Sequence, residues 1–430
     1  MADDSKTGLV PVIGRWTLAG LVLNSAIGSG IFGLPSLVSE HVGRAAPLAY
    51  LFAAVGVAVI MACFAEVGSQ FREAGGPYLY AREAFGRFAG IQVAWAAWLV
   101  RLTAAAANTN LFVTYLAEFW PAASGGLSRF LAITLVLAVP VAINYRGVKS
   151  GARMSNIFVI AKLIPLTFAA LLGLVFFQGG LSIPSGGALS SPSINSWMDA
   201  ILVLVYAFGG FEVGLFPMAE AKDPRRDVPF ALLIGFVVML AIYLLVQIGV
   251  QAGLQSPELS SRPLADAAGN LVGRWGAVFI TVGALISIYG YLGAMMLNVS
   301  RLTYALAEQK DFPSFFGRIH PRFRTPYLSV LMFGIFVWAL ALAGSFRWNV
   351  TLSAVARLLT YAATCGALIP LRNKAPELRR FRLPAGKWIA IAGVIFSVTI
   401  ATRMDRTALA ILAVTLLIAL ANWAMVKQRA

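Results

Sequence analysis

Charge is scarce in this chain. Only 12% of its 430 residues are Asp, Glu, Lys or Arg, where a soluble domain carries roughly 25%. A soluble globular protein is therefore excluded. Cysteine is nearly missing: Cys63 and Cys365 are the two present, both within apolar stretches, so no disulfide framework is implied. The two histidines, His41 and His320, fall in loops or at the ends of apolar stretches. There is no HExxH, no aspartate-rich motif and no Cys–His cluster. A catalytic or metal centre has little to be built from, and neither enzyme activity nor a cofactor is expected. Long polar or low-complexity tracts are missing too, which leaves no room for an appended soluble domain.

What the chain has is hydrophobic residues, 59% of the total, with a mean hydropathy of +0.79. A membrane span needs about 20 apolar residues. Windows of that kind centre near residues 27, 58, 103, 135, 165, 207, 240, 287, 335, 361, 392 and 416, so twelve transmembrane helices are expected. The third and eighth look long, which predicts tilt or extension past the membrane. The first follows Asp3 and Asp4 with no basic segment before it and no small-residue cleavage site after it. It reads as a retained helix, not a signal peptide.

The formal charge of +16 is sorted by side. Counted across the twelve windows, 24 Lys and Arg fall in the tails and connections on the amino-terminal side. Seven fall on the other side, and three (Arg101, Lys162 and Arg357) lie within spans. By the positive-inside rule both termini are cytoplasmic, in the cytoplasmic membrane. The basic surplus is an orientation signal with anionic lipid contact as a by-product, not a nucleic-acid footprint.

The first window contains Gly28-Ser29-Gly30-Ile31-Phe32-Gly33-Leu34-Pro35. Each glycine costs a helix about 1 kcal/mol relative to alanine, so a break is expected here. Lipid cannot satisfy the amides and carbonyls that a break frees, so they must line an enclosed cavity or a ligand site. The sixth window carries a second such cluster, Tyr206-Ala207-Phe208-Gly209-Gly210-Phe211-Glu212, with Gly209 lying 181 residues after Gly28.

Five windows separate the two clusters. An odd number of spans per unit makes the second unit enter the membrane from the opposite side. The chain thus reads as one transmembrane domain with two inverted five-helix repeats, 15–177 and 194–372, and with helices eleven and twelve, 385–427, outside them. Paired Gly-interrupted helices in corresponding positions are a pointer to a transporter's binding site. A half-helix N-terminus aims N–H groups at an anion, and a half-helix C-terminus offers carbonyls to an ammonium. Two such breaks meeting at the midplane suit a zwitterion.

The sequence resembles the amino acid–polyamine–organocation (APC) transporter superfamily. The resemblance is carried by Gly28-Ser29-Gly30-Ile31-Phe32 with Pro35; by Gly75-Gly76-Pro77-Tyr78 with Tyr80 and Phe85-Gly86; by Lys162 with Pro165; by Phe208-x-Gly210-x-Glu212, Glu220 and Asp223 to Pro229; and by Ser300-Arg301-Leu302 with Pro313 and Thr325-Pro326. It implies the LeuT-type 5+5 inverted-repeat fold with helices one and six broken. It also implies a permease carrying amino acids or related amines by alternating access.

At the matching positions the resemblance implies that Ser29 and Gly30 hold a substrate carboxylate, with Gly28 supplying the turn. The carbonyls of Ala26, Tyr206 and Gly209 face the amino group, Gly210 completes the second break, and Tyr206 or Phe208 acts as an aromatic lid. Glu212 opens the second half of helix six, either as a cap or as a gating and coupling carboxylate. An intramembrane lysine is a functional hypothesis by default. In some members of the superfamily a lysine at the position of Lys162 stands where sodium-coupled relatives bind sodium. Burial disfavours its charged form, so Lys162 can act as a proton-coupling residue; the competing reading is a permanently charged strut that allows sodium-free exchange. Arg101 has three readings: substrate contact, a pair with a carboxylate such as Glu66, or snorkelling. Proton-coupled, sodium-independent transport is the leading expectation. An exchanger without ion coupling, and a channel or non-transporting sensor on the same fold, are the alternatives.

Overall fold

The computed structural model describes residues 14–71, 75–147, 151–176, 192–215, 222–374 and 381–427. Among the described residues every regular element is helical. The first apolar window does not form a single helix. Helix α1 (Arg15–Ala26) stops, a 3₁₀ helix (Ser29–Phe32) follows, and α2 (Leu34–Val42) resumes the path. A three-residue 3₁₀ turn leads straight into α3 (Ala46–Gly68). The short α4 (Pro77–Phe85) precedes α5 (Arg87–Leu116), α6 (Gly126–Arg146) and α7 (Gly151–Val175). The second Gly-rich window is also interrupted, between α8 (Ile194–Phe208) and α9 (Phe211–Gly214). Then come α10 (Pro224–Gly253), α11 (Pro263–Val272), α12 (Arg274–Glu308), α13 (Tyr327–Ala343), α14 (Phe346–Lys374), α15 (Gly386–Ala401) and α16 (Arg406–Lys427).

Eight helical stretches among the described residues are long and apolar enough to cross a membrane, and three shorter apolar helices (Lys162–Val175, Tyr327–Ala343, Gly386–Ala401) accompany them. The chain is an integral membrane protein. The third and eighth windows, expected to be long, are the 30-residue α5 and the 35-residue α12.

Burial sorts the helices into inner and outer. In α5, 83% of the most apolar stretch is buried, against 28% in α6 and in α16. The outer helices turn side chains such as Leu135, Leu233 and Leu417 outward, as a lipid-facing surface requires. Small residues bring the inner faces close, because helices without Cβ bulk can touch backbone to backbone. A Cβ on Gly249 of α10 would lie 3.0 Å from the Gly173 nitrogen of α7, and one on Gly283 of α12 would lie 2.5 Å from Pro165 of α7. Val22 of α1 fits against Gly235 of α10. These contacts set α7 against α10 and α12, and α10 against the broken α1.

Buried ion pairs pin the helix ends. Glu66 at the end of α3 is 1% exposed. It accepts two hydrogen bonds of 2.5 Å from Arg372 of α14 and one of 2.8 Å from the Leu383 amide. Asp311, just past α12, is fully buried. Its carboxylate meets Arg82 of α4 at 3.1 Å and Arg87 of α5 at 2.7 Å, and it also accepts the Tyr78 hydroxyl. Burial, with the Asp311 carboxylate second, pushes the Tyr78 phenol above its ordinary pKa.

Candidate functional site at two helix breaks

The α1 break begins at Ile27, where ψ turns to 83° and the helix cannot continue. Gly28 is extended, and its N–H folds back on the Ala26 carbonyl at 2.7 Å. The carbonyls of the last turn thereby lose their helical partners. Two of them are taken by one side chain: the Lys162 ammonium of α7 donates to Asn24 O and, at 2.9 Å, to Ile27 O. On the far side of the break the 3₁₀ helix starts at Ser29, and the first N–H groups of a helix have no acceptor within it. At Gly30 a Cβ would lie 2.6 Å from the Tyr206 ring, so any side chain here would push that ring aside.

The α8 break is made by Gly209 and Gly210. Gly210 has φ +102°, a left-handed conformation that favours glycine. It also touches α1, where a Cβ would lie 2.5 Å from the Ser25 carbonyl oxygen. The two breaks are therefore in direct contact. A third element joins them: the Tyr243 hydroxyl of α10 lies 2.9 Å from Ala207 O and 3.3 Å from Ala26 O, one carbonyl from each broken helix.

Glu212 caps the restart of helix at α9. It accepts the Gly210 N–H at 2.9 Å, satisfying a first-turn amide and placing a negative charge at a positive helix end. Two groups of α14 close on it: the Tyr361 hydroxyl at 3.1 Å and the Arg357 guanidinium at 3.3 Å. Arg357 lies over Gly209 so closely that any Cβ there would collide with the guanidinium.

One cavity collects these groups. Its wall includes Ser25, Ala26, Gly28 and Gly30 of the first break, Tyr206, Gly209, Gly210 and Glu212 of the second, Arg101 and Asn108 of α5, Tyr243, Tyr291 and Arg357. The pocket thus offers helix-start amides, helix-end carbonyls, a carboxylate and guanidinium groups around one space.

Over residues 13–422 the chain matches the family model described as amino acid permease. The chain belongs to the amino acid permease family. The permease is similar to a serine/threonine exchanger of Bacillus subtilis (SteT), with 30% identity over 75% of this chain and 74% of that protein. It is also similar to an arginine/ornithine antiporter of Pseudomonas aeruginosa, 30% identical over 70% of this chain and 64% of that protein. An uncharacterized transporter of Mycobacterium tuberculosis is 27% identical over 90% of this chain and 85% of its own length. The family and these relatives make the permease a transporter, not an enzyme.

Of the residues singled out from sequence, Ala26, Gly28, Gly30, Tyr206, Gly209, Gly210, Glu212 and Arg101 border this cavity. Ser29 contributes its place at the start of the 3₁₀ helix. Phe208 is turned away from the wall and packs against Tyr50, Phe236 and Tyr243; of the two aromatics singled out, Tyr206 borders the cavity. Its hydroxyl accepts the Asn108 amide at 3.0 Å. Lys162 stands behind the first break and not in the cavity wall. Arg101 donates to the Ala97 carbonyl at 2.7 Å, while Glu66, one of its conceivable partners, is engaged by Arg372. Glu220 lies outside the described residues. Tyr243, Asn108 and Tyr291 were not anticipated. The only signal for Tyr243 and Asn108 was a polar group amid apolar residues.

Proposed function

We propose that this permease carries amino acids or related amines across the cytoplasmic membrane by alternating access, without sodium, and with proton coupling through Lys162. Twelve spans, cytoplasmic termini and a 5+5 inverted repeat (15–177 and 194–372, with 385–427 outside it) complete the architecture. The observation that carries this reading is the contact between the two breaks at Gly210 and Ser25, beside one cavity. Helix-start amides at Ser29 and Gly30 suit a carboxylate, and carbonyls around Ala26 and Gly209 suit an amine. Lys162 supports sodium independence. Its ammonium already occupies the freed carbonyls of Asn24 and Ile27, where a metal cation would otherwise be favoured.

The same two bonds favour a second reading, in which Lys162 is a permanent strut and the protein exchanges substrates without ion coupling. The relatives described as an exchanger and an antiporter lend weight to it. Purified protein in proteoliposomes separates the two. Uptake that persists in sodium-free buffer and rises with an inward proton gradient supports coupling. Sodium-free uptake that ignores the gradient and needs internal substrate supports exchange. Uptake that stops without sodium contradicts both.

A further inference from the structure

The space beyond the cavity is filled on one side. Along α5 the residues that border the cavity are Val100, Arg101, Ala104 and Asn108. The next two turns toward Leu116 carry Leu111 and Tyr115, which are 1% and 0% exposed. They meet the chain just past the first break. The Tyr115 hydroxyl donates to Phe32 O at 2.8 Å, and a Cβ on Gly33 would lie 2.9 Å from Leu111. Phe32 and Leu34 are fully buried. This plug is made by the 3₁₀ helix and the start of α2, so entry from that side requires α2 to shift.

A loop crosses α2 at the same end. Residues 254–262 leave α10, make a 3₁₀ turn at Pro257–Leu259 and lead into α11. Ser36 of α2, 4% exposed, donates its hydroxyl to Ser260 O at 2.7 Å. Two residues on, the Arg262 guanidinium pairs with Glu118, just past the end of α5. The loop is thereby fixed at one end to α10 and at the other to α5, and α2 is hydrogen-bonded to it in between. All of this lies at the opposite end of the 30-residue α5 from Arg87 and the Asp311 cluster.

The Arg262–Glu118 pair is built to part. Its side chains are 22% and 28% exposed, so water can take over either charge at little cost. Arg262 also has the Asp266 carboxylate of α11 at 3.9 Å, and its charge is not stranded when Glu118 is released. Glu66, paired with Arg372, is 1% exposed; a pair so deeply buried is far costlier to break.

We propose that loop 254–262 is a strap, latched by Arg262 on Glu118, that holds α2 closed over the cavity, and that releasing the latch lets α2 open the cavity toward this end. This rests on the transport reading above and names one step of its cycle; with cytoplasmic termini, this end is the outer one.

The test reads access to the cavity from outside. In full-length protein carrying Cys63→Ala and Cys365→Ala, a single reporter, Ala104→Cys, is placed in the cavity wall. Its labelling by a membrane-impermeant maleimide is timed in intact cells. Leu259→Cys, at a position 84% exposed in the strap, is the control for side and should label rapidly, while the parent reporter labels slowly. Glu118→Gln or Arg262→Gln should speed the reporter about fivefold, the upper worth of a part-exposed ion pair. The double variant should be no faster than the faster single. Arg262→Lys, which keeps the charge, should stay near the parent. Ser36→Ala unfastens α2 from the strap without touching the pair and should also speed labelling; it decides the matter if the Gln variants do not fold. Equal rates with and without the latch overturn the proposal. So do additive effects in the double variant, a parent reporter as fast as Leu259→Cys, or a Leu259→Cys that outside reagent does not reach. None of these results bears on whether substrate is carried. Uptake by the unaltered protein decides that, and no uptake of any amino acid or amine overturns the transport reading itself.

Discussion

The Lys162 ammonium donates a 2.9 Å hydrogen bond to the Ile27 carbonyl, 135 residues earlier in the chain. It joins α7 to the point at which α1 stops. One side chain thereby satisfies backbone groups that lipid could not, and ties the central break to a neighbouring helix. Any change in the charge or reach of Lys162 should be felt at the break.

Lys162→Ala leaves one buried carbonyl, Ile27 O, and one part-buried carbonyl, Asn24 O, without their donor. A stability loss of roughly 2–4 kcal/mol is expected, from about 1–3 kcal/mol per unsatisfied group less partial relaxation. It is read as a lowered melting temperature of the purified protein. The same variant should lose any dependence of uptake on an imposed proton gradient. Unchanged gradient dependence would assign the coupling elsewhere.

Gly30→Val puts side-chain atoms onto the Tyr206 ring, which a Cβ alone would already approach to 2.6 Å. Substrate binding should be abolished while expression and melting temperature fall only modestly. Gly30→Ala should show a weaker form of the same defect. Binding that survives valine would mean that the substrate does not use this face of the break.

Tyr243→Phe deletes a hydroxyl that touches carbonyls of both broken helices. The direct stability cost should be about 1 kcal/mol, the usual net worth of a hydrogen bond. If the protein works by the proposed alternating access, transport should fall by more than that small loss implies, since the hydroxyl holds both broken helices to α10. Initial uptake rates at saturating substrate, set beside the melting curve, check both halves.

Glu66→Gln weakens a buried pair held by two 2.5 Å bonds to Arg372. Breaking such a pair by removing one charge costs about 3–5 kcal/mol. Arg372 keeps its Leu383 carbonyl partner at 2.9 Å, so the lower end of that range is expected. The melting temperature of the variant should drop while ligand affinity, measured below it, stays near wild type. A large affinity change without a stability change would instead tie the pair to the transport cycle.

The breaks themselves were legible, because glycine in an apolar run is a local fact. Gly30, Gly209 and Gly210 each mark a place where a Cβ would be strained or would collide, while Gly28 has room for one. Lys162 and Glu212 were legible for a similar reason, as charges inside stretches that otherwise carry none. The cavity wall was less so. Tyr206 and Phe208 sit two positions apart at the end of α8, roughly 200° around a helix of 3.6 residues per turn. Composition does not say which of those faces meets the cavity; the packing of Phe208 against Tyr50 and Tyr243 decides it. Arg357 and Tyr243 reach the breaks from α14 and α10, and their register against α8 and α1 is set by packing that one sequence does not encode locally.

The proposed transport depends on the two breaks forming one substrate site. A structure of the purified protein with its tightest-binding amino acid tests this most directly. The substrate should lie between the breaks, its α-carboxylate within hydrogen-bond distance of the Ser29 or Gly30 amide and its ammonium against the carbonyls near Ala26 and Gly209. Continuous helices through Gly28–Gly30 or Gly209–Gly210, or a substrate bound away from both, would contradict it.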